Sequence, residues 1–197
     1  TLKIIDGEAV VESCQPNATK VEIPASYQGV AVKRIASCAF MACSELSSVM
    51  LPSTIEVIEM NAFASCEALA KIDLPANLKI IDDYAFSSCK ALTAIKIPAG
   101  VTRIGEYAFM ACTSLSSVSI PSEVTNIASN AFDGCCQYSQ SMFTYTEQDG
   151  KLTITGVLGG HPRNLIIPEK IGGIPVVAIG ERAFQGEKKL VGVSFEE

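Results

Sequence analysis

The sequence contains a single histidine, no cluster of lysine or arginine, and no apolar run longer than a handful of residues. Each scarcity removes a class of function. A bilayer-spanning helix needs about 20 consecutive apolar residues, so no segment is expected to cross a membrane. A net charge of −6 without a basic cluster argues against nucleic acid and against anionic membrane surfaces as partners. A Ser-His-Asp or Cys-His catalytic site would have to use His161. That residue sits in Gly159-Gly160-His161-Pro162, a loop composition in which a solvated histidine is expected. A metal site would need ligands converging from one region, and one histidine with scattered carboxylates does not supply them. Asp82 and Asp83 are adjacent near the start of a predicted helical turn, where negative charge is favourable. Gly159-Gly160 and Gly172-Gly173 read as turn glycines and match no phosphate-loop pattern. No catalytic residue, cofactor or metal is therefore expected.

Charged residues are scarce too, at 18% against 48% apolar, which excludes a disordered chain. The 197 residues suffice for one elongated domain with a continuous core. No secretion signal is visible, and the opening at Thr1 reads as a mature or engineered boundary with any targeting segment removed. That reading points neither to the cytoplasm nor to export.

What is abundant is repetition. Phe40, Phe63, Phe86, Phe109 and Phe132 recur every 23 residues, and Phe184 carries the same Ala-Phe signature 52 residues later. Around them runs I-x-x-x-A-F-x-x-C-x-x-L-x-x-V/I-x-L/I-P. The third unit shows it in full as Ile81, Ala85, Phe86, Cys89, Leu92, Ile95, Ile97 and Pro98. A fixed period in the low twenties with these leucine positions is the signature of a leucine-rich-repeat solenoid. The end of each unit alternates like a half-buried strand, and the proline after it lacks an N–H, so it ends the ladder and turns the chain. The x-x-A-F-x-x-C stretch has helical spacing and predicts a short helical turn. Ile55 with Ile58, or Leu78 with Ile81, lines the opposite wall. One unit cannot bury enough to fold alone, so stability is expected to be a property of neighbouring coils.

Five of the eight cysteines (Cys43, Cys66, Cys89, Cys112 and Cys135) belong to the repeat. At a coil rise of about 4.8 Å they form a row of small buried thiols acting as apolar fillers. Successive rungs are close enough for a disulfide, but five rungs cannot all pair. Cys14–Cys38 and Cys135–Cys136 are further candidate pairs.

Residues 1–34 and about 143–178 resemble each other. Val21-Glu22-Ile23-Pro24 matches Leu165-Ile166-Ile167-Pro168, and Ile35 matches Ile179, at an offset of 144. Asp6-Gly7 and Asp149-Gly150 each predict a hairpin between alternating apolar runs. The expected organisation is an N-terminal β-hairpin cap over 1–34, five repeats over 35–135, an inserted leader-like segment over 136–178 that continues the stack, and a final repeat over 179–197.

The repeat, with the Ile167-Pro168…Gly173-Ile174-Pro175-Val176 leader loop, resembles the BspA-like leucine-rich-repeat family. The resemblance spans nearly the whole chain. It implies a curved, right-handed solenoid with a parallel sheet on the concave face and short helical turns on the other side. It also implies a secreted or surface-attached bacterial protein, of the kind associated with adhesion to host matrix or to other cells. It carries over no catalytic residues, because the family's shared positions are core positions.

Binding must then use the positions that the repeat leaves free. One outward strand column is Met50, Asp73, Lys96, Ser119 and Ser194, and its neighbour is Ser48, Lys71, Ala94 and Ser117. These form either a ligand face, with Asp73 pairing with Lys71 or Lys96, or a solvated sheet surface. Tyr84 and Tyr107 fall in one column with Asn61 and Asn130, as a contact patch or as cover for the core edge. The expected function is a non-catalytic, extracellular or cell-surface binding module for a protein or glycan. The alternative is a structural spacer within a larger surface protein.

Overall fold

The computed structural model describes all residues except 116, 122, 125, 129, 136–142, 158–163, 172, 188–191 and 196–197, so His161 and Cys136 lie outside the described residues. The N-terminal leader holds β1 (Leu2–Ile5), β2 (Glu8–Val11), β3 (Lys20–Glu22), β4 (Ser26–Tyr27) and β5 (Val30–Ile35). The 23-residue units hold β6 (Ser48–Met50), β7 (Val57–Ile58), β8 (Ile80–Ile81), β9 (Ala94–Lys96), β10 (Arg103–Ile104) and β11 (Ser117–Ser119). A second leader and the last coil hold β12 (Phe143–Gln148), β13 (Lys151–Val157), β14 (Asn164–Ile167), β15 (Lys170–Ile171), β16 (Ile174–Ile179) and β17 (Gly192–Phe195).

The chain is a β-solenoid, and its coils have three walls. The first is the predicted strand wall, in which β3 pairs in parallel with β6 and β9 with β11. The Lys71-Ile72-Asp73 segment has the same sequence pattern but belongs to neither ladder. The second wall is also a parallel sheet. β5, β7, β8 and β10 pair in succession, and a bridge from Ile104 to Ile127 carries the ladder one coil further. Two-residue strands such as Val57–Ile58 are too short to show any alternation in sequence, so the sequence revealed them only as an apolar lining.

The third wall departs from expectation. Among the described residues there is no helix, and the A-F-x-x-C stretch is a run of tight turns. Two residues in each coil take left-handed backbone angles and stop any helical run: Asn61 and Ser65, Tyr84 and Ser88, Tyr107 and Ala111, with φ between 55° and 60°. A non-glycine residue there costs about 1–2 kcal/mol. The conformation turns N–H groups toward the next coil instead of back along the chain. Phe40 N–H donates to the Ala62 carbonyl at 2.7 Å, Phe63 to Ala85 at 2.8 Å, Phe86 to Ala108 at 2.7 Å and Phe109 to Ala131 at 2.8 Å. All three walls are thus hydrogen-bonded from coil to coil, and this offsets the strain that a single coil would carry alone.

The repeat's shared residues fill the interior. Phe40, Phe63, Phe86, Phe109 and Phe132 stack face to face with centroids 4.7–5.3 Å apart and planes within 13°. The coil rise sets this spacing.

The two leaders superimpose element by element. β1 runs antiparallel to β2, β2 parallel to β5, and β4 folds back on β5; β12, β13, β16 and β15 repeat the same relations. β14 pairs with β17 as β3 pairs with β6. Each leader therefore supplies a strand to both the first and second walls as well as a hairpin, and behaves as a coil in its own right. Among the described residues the buried side chains gather in two clusters. One runs from Ala9 to Phe132, and the other gathers Phe143, Leu152, Ile154, Ile167, Ile171 and Ala183.

Candidate functional site

The surface chemistry differs from wall to wall. On the second wall the charges hold neighbouring coils together. Arg34 reaches Glu59 of the next coil at 2.7 Å, and Glu59 also accepts hydrogen bonds from the Ser37 N–H and hydroxyl at 3.0 Å. Lys33 pairs with Glu56 at 3.0 Å, and this contact raises the lysine pKa. Arg103 spans Asp82 and Asp83, a contact that keeps its guanidinium charged even more firmly. Asp83 in turn accepts the Glu106 N–H at 2.9 Å. The adjacent aspartates thus brace an arginine one coil away. The sequence reading missed this belt because its partners are 20 or more residues apart and, Lys33 and Glu56 excepted, fall in no shared column.

The first wall is the contrast. Its outward residues are Met50, Lys71, Asp73, Lys96 and Ser119, which differ from coil to coil in size and charge. Met50 is 61% exposed. Lys71 and Asp73 form a pair at 3.0 Å with side chains 75% and 84% exposed, so the contact is a weak one in solvent. Lys96 has no ion-pair partner among the described residues, so the expected pairing of Asp73 is made with Lys71. These five residues share one wall.

Tyr84 and Tyr107 do not join them. They lie at the corner between the second wall and the turn wall. Their rings stack on each other, centroids 5.1 Å apart, and each is half-buried. The seven candidate residues therefore form two separate groups, five on the strand wall and two at the turn corner.

The thiol column is structural and does more than fill space. Cys66, Cys89, Cys112 and Cys135 each donate to the phenylalanine carbonyl one coil back, at 3.1, 3.2, 3.2 and 3.1 Å. Each of those carbonyls also accepts the N–H of the cysteine three residues on in its own turn, at 3.1–3.3 Å, so the thiol is a second donor that comes from the next coil. Burial pushes Cys43 up to about 11 and Cys89 up to about 12, and raises Cys66 as well. The neighbouring Cys112 and Cys135 thiols act on each other, which raises Cys112 and draws Cys135 down. All seven described cysteines are free, so Cys14 and Cys38 are not joined. Among the described residues no group of His, Cys, Asp or Glu is placed to hold a metal ion.

Residues 7–139 match the family described as the BspA type leucine rich repeat region, in six copies. Six copies place one in the N-terminal leader ahead of the five 23-residue units, in keeping with the leader's behaviour as a coil. No curated protein matches the chain. Among solved structures, a leucine-rich-repeat protein of T. pallidum is similar at 24% identity with a TM-score of 0.64, the match covering 98% of this chain and 78% of that one. A leucine-rich-repeat protein of Bacteroides ovatus is similar at 20% identity with a TM-score of 0.51, covering 100% and 75%.

Proposed function

The chain belongs to the BspA-type leucine-rich-repeat family, and from that premise we propose that it is a non-catalytic binding module, secreted or held at the cell surface. Its ligand, a protein or a glycan, is taken on the strand wall around Met50, Lys71, Asp73, Lys96 and Ser119. One observation carries this reading. The second wall spends its charges on contacts between coils, whereas the first wall presents side chains that vary from coil to coil, on a backbone that parallel pairing fixes at Met50, Lys96 and Ser119. A rigid surface of varied chemistry suits recognition, since little ordering is left to be done on binding.

The test is a binding screen of the chain against extracellular-matrix proteins and glycans, repeated with Met50→Asp, Lys96→Glu and the pair Tyr84→Ala/Tyr107→Ala. The proposal expects the strand-wall substitutions to weaken a hit at least tenfold and the tyrosine pair to leave it unchanged. The reverse pattern would move the site to the turn corner.

A second reading is a spacer that holds other domains apart. The small residues Ser48, Ala94 and Ser119 on the same wall favour it. It predicts no ligand in the screen, and a solenoid whose length matters while its strand-wall chemistry does not.

A further inference from the structure

Sulfur gathers at one junction between coils. Of the seven described cysteines only Cys38 is exposed. Its N–H donates to the Met60 carbonyl of the next coil at 3.0 Å, and its own carbonyl accepts the Met41 N–H at 3.1 Å. These two bonds hold the backbones of Met41 and Met60 within one turn and one coil step of the thiol. Both methionine side chains face solvent, 53% and 45% exposed. The junction lies inside the array, with chain packed on either side. From the leader, the Cys14 N–H donates to the Ala39 carbonyl at 2.7 Å, and the Asn61 N–H donates to Asp83 of the third coil at 3.0 Å.

The repeat does not ask for sulfur here. The same three places hold Asn61, Ala64 and Asp83 at the next junction, and Tyr84, Ser87 and Glu106 at the one after. Cys38 has a left-handed backbone, with φ 61°. Asparagine, which follows it in the column at Asn61, tolerates that conformation better. The turn therefore does not account for the cysteine, and neither does the core, which the side chain does not enter. In the Met41 column, Ala64 and Ser87 are only 6% exposed, so the methionine leaves apolar surface in water that its neighbours keep covered. The carboxylate of Glu59, beside Met60 in the chain, is taken by Ser37 and Arg34. The donors that the junction offers are one thiol and two thioethers.

We propose that Cys38, Met41 and Met60 together bind one soft monovalent cation, Cu(I). Thiolate and thioether sulfur select that ion over hard cations, which prefer oxygen. The methionine side chains are unbranched and polarizable, so they adapt to the position of the metal. Binding displaces the thiol proton to solvent, so the site gains no net charge. It lies on the turn side of the coil, away from the strand wall, and does not depend on the ligand proposed there.

The test is anaerobic titration of the fully reduced 197-residue chain with Cu(I) in competition with a chromophoric Cu(I) chelator. The wild-type chain is expected to withhold one equivalent. Cys38→Ser is expected to withhold none. Met41→Leu and Met60→Leu are each expected to weaken binding by about tenfold or more, since loss of a partner outside the ligand shell already costs that much. Cys14→Ser, a control on the half-buried thiol, is expected to bind like wild type. The three ligands are exposed, so unchanged thermal midpoints separate a lost ligand from a lost fold. X-ray absorption of the loaded chain is expected to show sulfur alone around the copper. A wild-type chain that yields all its copper to the chelator overturns the proposal. So does Cys38→Ser keeping the equivalent, or a nitrogen or oxygen ligand in the copper shell. Methionine variants that bind as tightly as wild type overturn it too, because they reduce the site to a bare thiol.

Discussion

The thiol of Cys89 donates to the carbonyl oxygen of Phe63, one coil back, at 3.2 Å. It joins the two most regular columns of the repeat, and the same bond recurs from Cys66 to Phe40 and from Cys112 to Phe86. The cysteine is retained as a small donor that fits where a larger polar side chain would crowd the core. Replacing Cys89 with alanine leaves the Phe63 carbonyl with the Cys66 N–H alone and opens a small void. The expected loss is about 1–2 kcal/mol, one hydrogen bond in addition to the thiol's burial, measured by urea denaturation, whereas a pure filler would lose less than about 1 kcal/mol.

The same thiols set an upper pH limit on stability. Their pKa values are raised in the folded state, so the folded chain binds more protons than the unfolded chain once free thiols begin to ionise. The contribution is complete below the ordinary thiol value of 9.0 and is lost as pH rises through about 11 for Cys43 and about 12 for Cys89. Thermal unfolding midpoints should be flat in this respect up to pH 9 and fall above it. The alkaline slope should shrink in a Cys43→Ala/Cys89→Ala variant compared at matched starting stability.

Thiol labelling tests the burial directly. Cys38 is exposed, while Cys43, Cys66, Cys89 and Cys112 are buried. With a thiol reagent under native conditions, peptide mapping should find Cys38 modified first and these four unmodified until denaturant is added. Early modification of Cys66 or Cys89 would contradict the closed core.

Phe86 stacks between Phe63 and Phe109, at 5.2 and 5.3 Å. Phe86→Ala should cost about 3–5 kcal/mol. Its neighbours each lose a stacking partner and an inter-coil contact, so hydrogen exchange should quicken in the coils of Phe63 and Phe109 as well. A loss confined to the mutated coil would contradict a stability shared between neighbours.

Gly105 marks a close approach between coils. A Cβ there would lie 2.6 Å from the Asp83 backbone nitrogen and 2.3 Å from the carboxylate that braces Arg103. Gly105→Ala should therefore destabilise by about 1–3 kcal/mol, although alanine is the better residue on propensity alone. Arg103→Leu, which removes a largely solvated pair, should cost less than about 1 kcal/mol.

Much of the interior was legible before any coordinates. The 23-residue period identified the coil, and the Ala, Phe, Cys and Leu positions it marked as inward are buried through the first array, with Cys135 at its end half-buried. The duplicated leader was legible as well, because Val21–Pro24 and Leu165–Pro168 match residue by residue. The turn wall was misjudged as helical for a definite reason. Spacing of three and four residues fits both a helix and a chain of tight turns. The choice falls to Asn61, Tyr84 and Tyr107, whose left-handed angles are stabilised only by bonds to the next coil.

The candidate surface was legible in part. Position in the repeat correctly grouped Met50, Asp73, Lys96 and Ser119 on one wall. It also set Tyr84 and Tyr107 apart on the turn side, but it could not show that the charges of Arg34, Glu59, Asp83 and Arg103 are already committed between coils. Periodicity reports which residues face inward, since burial acts on every coil alike. It says nothing about pairings made across coils by residues that do not repeat. The sequence by itself therefore determined the coil, its core and the recurrence of its leader. Only the tertiary structure decided the hydrogen-bonded turn wall, the thiol-to-carbonyl bonds and the belt of charges between coils, because each depends on what is stacked next to a coil.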